Sequence, residues 1–298
     1  MSFRGGLKTI VVATDLNGQA EGALEYARKL ARAYGSRIIF AHGLDPLEYA
    51  DVHEVPAPVL QEMGDNARAV LQKLSDDLLG EGIRSHSEIR QGDITQMLVD
   101  VARDFDAGLI VIGTRGRDGA GPVLVGVIAE QLVRLAPCPV MAVAADWNAG
   151  PHRPVPGGPV LLAIERNEAA AEAARTAYSL AETFKRPLLI LHVRTPAEVT
   201  AFLNPCSTRI EDYGIRPTSS VPLDCLVKDG STADAVAEAI AQHRPCILVL
   251  GVKRVSGSHG PHGTAFTLMS RSRVPVLCVP PQPDAHLAER EEAITARI

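Results

Sequence analysis

With 298 residues the chain has room for two domains of ordinary size, and its 46% apolar content is enough for real cores. Aromatic residues make up only 4%, so those cores have to be built from Ala, Val, Leu and Ile. A net charge of −5 argues against general nucleic-acid binding, and no apolar run reaches the roughly 20 residues that cross a bilayer, so no membrane contact is expected.

The segment Met1 to Lys8 is short and leads straight into an apolar run, which does not fit a signal peptide. The run Thr9 to Thr14 is rich in β-branched residues and reads as a buried strand. Asp15-Leu16-Asn17-Gly18 is turn chemistry. From Gln19 to Tyr34 the residues Ala20, Ala23, Leu24, Ala27, Leu30 and Ala31 recur at helical spacing, and Gly35 stops the helix. Ile38 to Ala41 is a second buried strand, followed by a proline-bearing loop over 43–57. A long helix is expected from Val59 to Leu79. Ser85 to Ile89 alternates and belongs near a sheet edge. Ile94 to Arg103 is a helix with Asp93 as its N-cap. Gly108 to Ile112 is the fourth strand, Val127 to Leu135 an amphipathic helix, and Cys138 to Val143 a last strand.

Strands alternating with helices imply a parallel sheet covered on both faces, an α/β fold. Asp146 to Gly158 carries three prolines and three glycines and reads as a semi-rigid linker. Beyond it the pattern begins again. Val160 to Ile164 repeats the first strand. At a constant offset of 150, Asp15 answers to Glu165, Asn17 to Asn167, Leu30 to Leu180, Tyr34 to Phe184 and His42 to His192. Later the offset is 138, pairing Gly92 with Gly230 and Gly113 with Gly251, so the long helix of the first half is shortened in the second. The expected division is 1–145, a linker over 146–158, a second unit over 159–281 and a polar tail over 282–298. The five cysteines are an odd number with no C-x-x-C pair, and several sit in apolar runs. Buried reduced thiols in a cytoplasmic protein fit that pattern best.

The stretch after the fourth strand carries the chemistry. Ile110-Val111-Ile112 breaks into Gly113-Thr114-Arg115-Gly116 and runs through further glycines to Gly126, where a helix starts at once. Helix N-terminal amides lack intrahelical partners and the helix dipole favours anions there. Glycine lets a ligand approach the main chain, and Arg115 and Arg117 add charge. A phosphate-bearing ligand at 113–128 follows. No G-x-S-x-G elbow, H-E-x-x-H or Walker lysine-serine pair is present. No catalytic residue and no protein metal site is therefore expected. His259 and His262 lie close in sequence without a carboxylate or cysteine nearby and read as solvated loop histidines.

Val12-Ala13-Thr14-Asp15 and the paired-glycine loop together resemble the universal stress protein family, as does Ala136-Pro137-Cys138-Pro139-Val140 before the fifth strand. The family's loop reads Gly, two residues, Gly, nine residues, Gly, then Ser or Thr, and Gly113, Gly116 and Gly126 keep the glycine spacing. The resemblance covers nearly all of residues 7–280, in two copies. It implies two tandem Rossmann-like domains, each a five-stranded parallel sheet flanked by helices, paired as an intramolecular pseudo-dimer through their fifth strands. It also allows a homodimer of that unit. It further implies a sensor or regulator in the stress response that binds ATP, with or without Mg²⁺, and acts on a protein partner that the residues do not identify.

Similarity to ATP-binding members assigns the adenine and ribose side to Ala13, Thr14, Asp15, Gly43 and Ile112. The phosphate side falls to Gly113, Arg115, Gly116, Gly126, Val127 and Ile128. Asp15 could accept from the ribose or adenine, hold a metal near the phosphates, or cap the first helix. Val127 departs from the family's Ser or Thr and removes a donor worth about 1 kcal/mol, which weakens ATP binding rather than abolishing it. The second half departs further: Glu165 replaces Asp15, and Arg254 replaces the second glycine. Lys253 and Arg254 could hold an anion there, but a degenerate half with a structural or partner-binding role fits better. Slow ATP hydrolysis at the first site, and a nucleotide-free interaction module, are the rival readings.

Overall fold

A computed structural model of the chain describes residues 7–16, 20–44, 57–114, 127–148, 154, 157–165, 167–194, 199, 210–253 and 263–281. The first half contributes β1 (Thr9–Ala13), α1 (Glu21–Tyr34), β2 (Arg37–Leu44), α2 (Ala57–Gly80), β3 (Ser85–Gln91), α3 (Ile94–Asp104), β4 (Leu109–Thr114), α4 (Val127–Leu135) and β5 (Val140–Ala144). The second contributes β6 (Val160–Ile164), α5 (Ala170–Phe184), β7 (Leu188–Arg194), a 3-10 turn (Ile210–Tyr213), β8 (Leu223–Asp229), α6 (Thr232–His243), β9 (Ile247–Gly251), α7 (Thr264–Arg271) and β10 (Val276–Val279). The 24-residue α2 has no counterpart among the described residues of the second half beyond that 3-10 turn.

The ten strands form one sheet in the order β3-β2-β1-β4-β5-β10-β9-β6-β7-β8. Pairing is parallel within each half. The halves meet where β5 and β10 pair antiparallel, with Val276 opposite Ala142, Leu277 opposite Met141 and Cys278 opposite Val140. This seam joins the two expected sheets into a single one.

The central strands are apolar without alternation because helices cover both faces. Side chains of β1 point alternately to the two sides: Ile10 and Val12 join the core beneath α1, α2 and α5, while Val11 joins the core beneath α3, α4, α6 and α7. Each core takes residues from both halves. Ala, Val, Leu and Ile supply most of this packing, and Phe40 is the largest fully buried side chain. The thiols of Cys138 and Cys278 lie in it, and burial pushes both up to about 12.

Local chemistry explains the helix ends. The Asp93 carboxylate accepts from the Gln96 amide at 2.7 Å and caps α3. Gly35 takes the left-handed conformation, φ 68°, that closes α1. Pro58 falls in the first turn of α2, where no amide partner is lost. Gly92 and Gly230, equivalent at the 138 offset, both have positive φ, 117° and 101°. Asp15, however, does not cap α1. That helix begins at Glu21, its flanking residue is Ala20, and no side chain caps it. Trp147, within the expected linker, is buried and packs edge-to-face on Tyr26 at 5.2 Å.

Candidate functional site

In open α/β sheets a crevice opens beyond the carboxyl ends of the strands where the strand order reverses. Here that place lies between β1 and β4, which pair with Val12 opposite Val111. From β1 the chain crosses beneath α1 to β2, and β4 lies on its other side. The ends of these two strands therefore bring Ala13, Thr14 and Asp15 beside Ile112 and Gly113.

The turn after β1 is built by local hydrogen bonds. The Thr14 amide donates to the Ala41 carbonyl at 3.1 Å, extending the β1–β2 ladder. The Thr14 hydroxyl accepts from the Leu16 amide at 3.2 Å. Leu16 sits at φ 60°, an uncommon conformation for a residue with a side chain. His42 Nδ1 lies 2.8 Å from the Thr14 carbonyl, and a carbonyl can only accept, so Nδ1 carries the proton. His42 thus holds the turn that presents Asp15. Pairing at offset 150 identified His42 as an equivalent strand-end residue but gave no sign of this bond.

On the β4 side, Ile112 is 4% exposed and belongs to the core, so it offers a wall rather than a polar contact. Thr114, at the end of β4, has a buried hydroxyl with no hydrogen-bond partner among the described residues. It stands directly before the glycine-rich loop and was absent from the expected site residues. α4 starts at Val127, and Ile128 is 37% exposed on its first turn. Thr95 Oγ1 donates to Gln131 Oε1 at 2.7 Å and ties α3 to α4. Glu130, the acidic residue of the α4 first turn, is paired with Arg134 at 2.6 Å, which offsets its charge. Arg115, Gly116 and Gly126 lie outside the described residues.

Gly43 is separated from β4 by β1. A Cβ there would come within 3.0 Å of Ile94 Cγ1 and 3.2 Å of Met97 Cε. Close packing of α3 on β2 is a sufficient reason for glycine at that position. No group of three or more His, Cys, Asp or Glu suited to a metal occurs among the described residues. Nor is any described helix long and apolar enough to cross a membrane.

The equivalent crevice in the second half, between β6 and β9, is spanned by protein. Asn167 Oδ1 accepts from the Ala169 amide at 2.9 Å, and its Nδ2 reaches the Gly251 carbonyl at a long 3.5 Å. A Cβ on Gly251 would lie 3.3 Å from the Ala169 backbone, so the start of α5 is pressed against the end of β9. Outside this contact, Lys253 Nζ pairs with Glu165 Oε1 at 3.4 Å. The lysine proposed to receive an anion already faces a carboxylate.

Residues 6–144 match the model of the Universal stress protein family. A universal stress protein of Mycolicibacterium smegmatis is 30% identical over 190 residues, 62% of this chain and 63% of that one. One from Mycobacterium tuberculosis is 27% identical over 198 residues, 64% of this chain and 65% of that protein. The chain thus spans just under two thirds of the length of these two relatives. In fold, the crystal structure of a universal stress protein from Archaeoglobus fulgidus superposes with a TM-score of 0.72 at 17% identity, over 92% of this chain and 98% of that one. A functionally unknown protein of Pseudomonas aeruginosa gives 0.67 at 17% identity over 98% of both chains. The family model matches residues 6–144 and the match in fold runs through both halves, so the chain is similar to universal stress proteins in its first half by sequence and throughout by fold.

Proposed function

We propose that this chain is an ATP-binding regulator of the stress response, with the nucleotide held by its first half. The observation that carries the reading is the arrangement at the carboxyl ends of β1 and β4. Between β1 and β4 the turn held by His42 presents Asp15, and the glycine-rich loop leads to the start of α4. Between β6 and β9, Asn167 and the α5 start lie at the strand ends, and their first-half counterparts Asn17 and Gln19 are outside the described residues.

In this reading adenine and ribose lie against Ala13, Thr14, Asp15 and Ile112. The phosphates lie against Gly113, Arg115, Gly116, Gly126 and the free amides of Val127 and Ile128. The buried Thr114 hydroxyl, without a partner among the described residues, stands directly before the glycine-rich stretch. Mg²⁺ would arrive with the phosphates, since the described residues hold no metal group of their own, and Asp15 would be its nearest carboxylate. Nucleotide occupancy would then change the surface offered to a protein partner beside the α4 start.

Protein purified without added nucleotide should give saturable heat on titration with ATP and Mg²⁺ in a calorimeter. Absence of heat at millimolar ATP would overturn the reading. Val127, in place of a hydroxyl residue, favours a second reading, a nucleotide-free interaction module. Finding ATP by mass spectrometry in the material released when the purified protein is denatured would exclude that module. Slow hydrolysis is a third reading. Asp15 serves more simply as a ligand than as a base for water, and intact ATP after long incubation would dispose of it.

A further inference from the structure

The strongest unassigned feature is a cavity of about 690 Å³ between the two halves. Its size is that of sites for drug-sized molecules. The first half supplies α1, the stretch after β5 supplies Trp147, and the second half supplies the C-terminal end of α5 with the residues before β7 and β9. None of its lining residues belongs to the nucleotide site proposed above.

Its walls are aromatic. Tyr26 and Trp147 meet edge-to-face with centroids 5.2 Å apart and planes at 86°, and Phe184 lines the other side. The pair is held in place: Tyr26 donates its hydroxyl hydrogen to the Cys246 carbonyl at 3.3 Å, and Trp147 is 6% exposed. The indole N–H is buried without a hydrogen-bond partner among the described residues. A buried unpaired donor of that kind carries a penalty of about 1–3 kcal/mol.

The rim is cationic. Lys29, Arg32 and Arg186 line the cavity, and among the described residues no carboxylate does. Lys29 is shared between Glu25, at 3.0 Å, and the Trp147 ring, 4.1 Å from its centroid. Arg32 pairs with Glu81 at 3.0 Å. Arg186 makes no ion pair among the described residues, and it is half-buried beside an apolar wall. Burial pushes the Cys246 thiol up to about 11, so that lining group stays neutral and adds no competing negative charge.

An aromatic wall with a guanidinium at its edge that makes no ion pair among the described residues suits a flat apolar body bearing a single anionic head. We infer that this inter-half cavity binds an aromatic monocarboxylate, its ring against Tyr26, Trp147 and Phe184 and its carboxylate on Arg186.

Trp147 is the one tryptophan of the chain, so tryptophan emission reports on this cavity alone. The full chain would be titrated with 2-naphthoate, and with uncharged 2-naphthamide as control, following emission and heat together. The expected result is saturable binding of 2-naphthoate, at least about tenfold tighter than the amide. Arg186→Glu should reverse that preference, and Ala33→Phe, which fills the cavity from an exposed position, should abolish both signals. Saturating ATP should leave the affinity unchanged. No response at millimolar 2-naphthoate, equal affinity for acid and amide, binding unaffected by either substitution, or competition by ATP would each overturn the proposal. The outcome is independent of whether ATP binds at Gly113, since neither titration requires that site to be occupied.

Discussion

The two halves share one strand order yet treat corresponding positions differently. At offset 150, Gly35 answers to Lys185, and both residues close a helix in the left-handed conformation, at φ 68° and 52°. Thr14, whose hydroxyl shapes the turn before Asp15, answers to the buried Ile164. Gly22, pressed by the Ala144 carbonyl, answers to Glu172, whose carboxylate takes the Arg175 guanidinium at 2.9 and 3.0 Å. The fold tolerates each exchange because strand pairing and apolar burial carry it. What the Thr14 to Ile164 exchange removes from the second half is the hydroxyl that shapes the turn after the first strand. A duplicated domain can therefore keep its architecture while its side chains at corresponding positions diverge.

The sharpest way to break this comparison is Gly116→Glu. A carboxylate in the glycine-rich loop should abolish ATP binding measured by calorimetry, whereas Glu165→Ala and Lys253→Ala should leave it unchanged. If the second-half changes weaken ATP equally, the asymmetry is wrong.

Gly22→Val comes next. An added Cβ would meet the Ala144 carbonyl at 2.7 Å, backbone that cannot step aside. Overpacking of that kind costs about 1–3 kcal/mol, readable as a lower urea midpoint.

Val127→Thr should sharpen the site rather than break it. Restoring a hydroxyl donor is worth about 1 kcal/mol, or roughly a fivefold to tenfold tighter ATP dissociation constant. An unchanged constant would mean that the main-chain amides and arginines already supply all that the loop offers.

The smallest effect is expected at the helix ends. Left-handed backbone costs a residue with a Cβ about 1–2 kcal/mol, partly offset by the greater freedom of glycine in the unfolded chain. Lys185→Gly should stabilise by up to about 1 kcal/mol and Gly35→Lys should destabilise by a similar amount, both read from thermal or urea unfolding.

Much of the frame was legible because it is written in local patterns. Apolar runs gave the central strands. Asp93 gave a true cap, Gly35 a true stop, and Val127 to Leu135 the bounds of α4. The weak alternation of Ser85 to Ile89 placed β3 at an edge, where it lies. The candidate site was legible only in part. Asp15 reads as a cap from its turn residues, yet α1 starts only at Glu21, with Ala20 before it and no side-chain cap. The bridging role of Asn167 needs Gly251, 84 positions away, and no periodicity carries such a contact. Trp147 sits among prolines and glycines that suggest a solvated connection. Its burial depends on Tyr26 and on the second half packing nearby.

The antiparallel seam between β5 and β10 has a consequence for growth of the sheet. It consumes the innermost edge of each half, so the strands left for addition are β3 and β8. Both are poor templates. β3 carries His86, Glu88 and Arg90, with Arg90 held by Glu88 and Asp104. β8 carries Asp224, Lys228 and Asp229, with Lys228 held by Glu238 and Asp229 by Arg194. Charged, internally paired edges of this kind resist a further strand. The sheet of the described residues is thus bounded on both sides by charged strands whose charges are paired within the molecule.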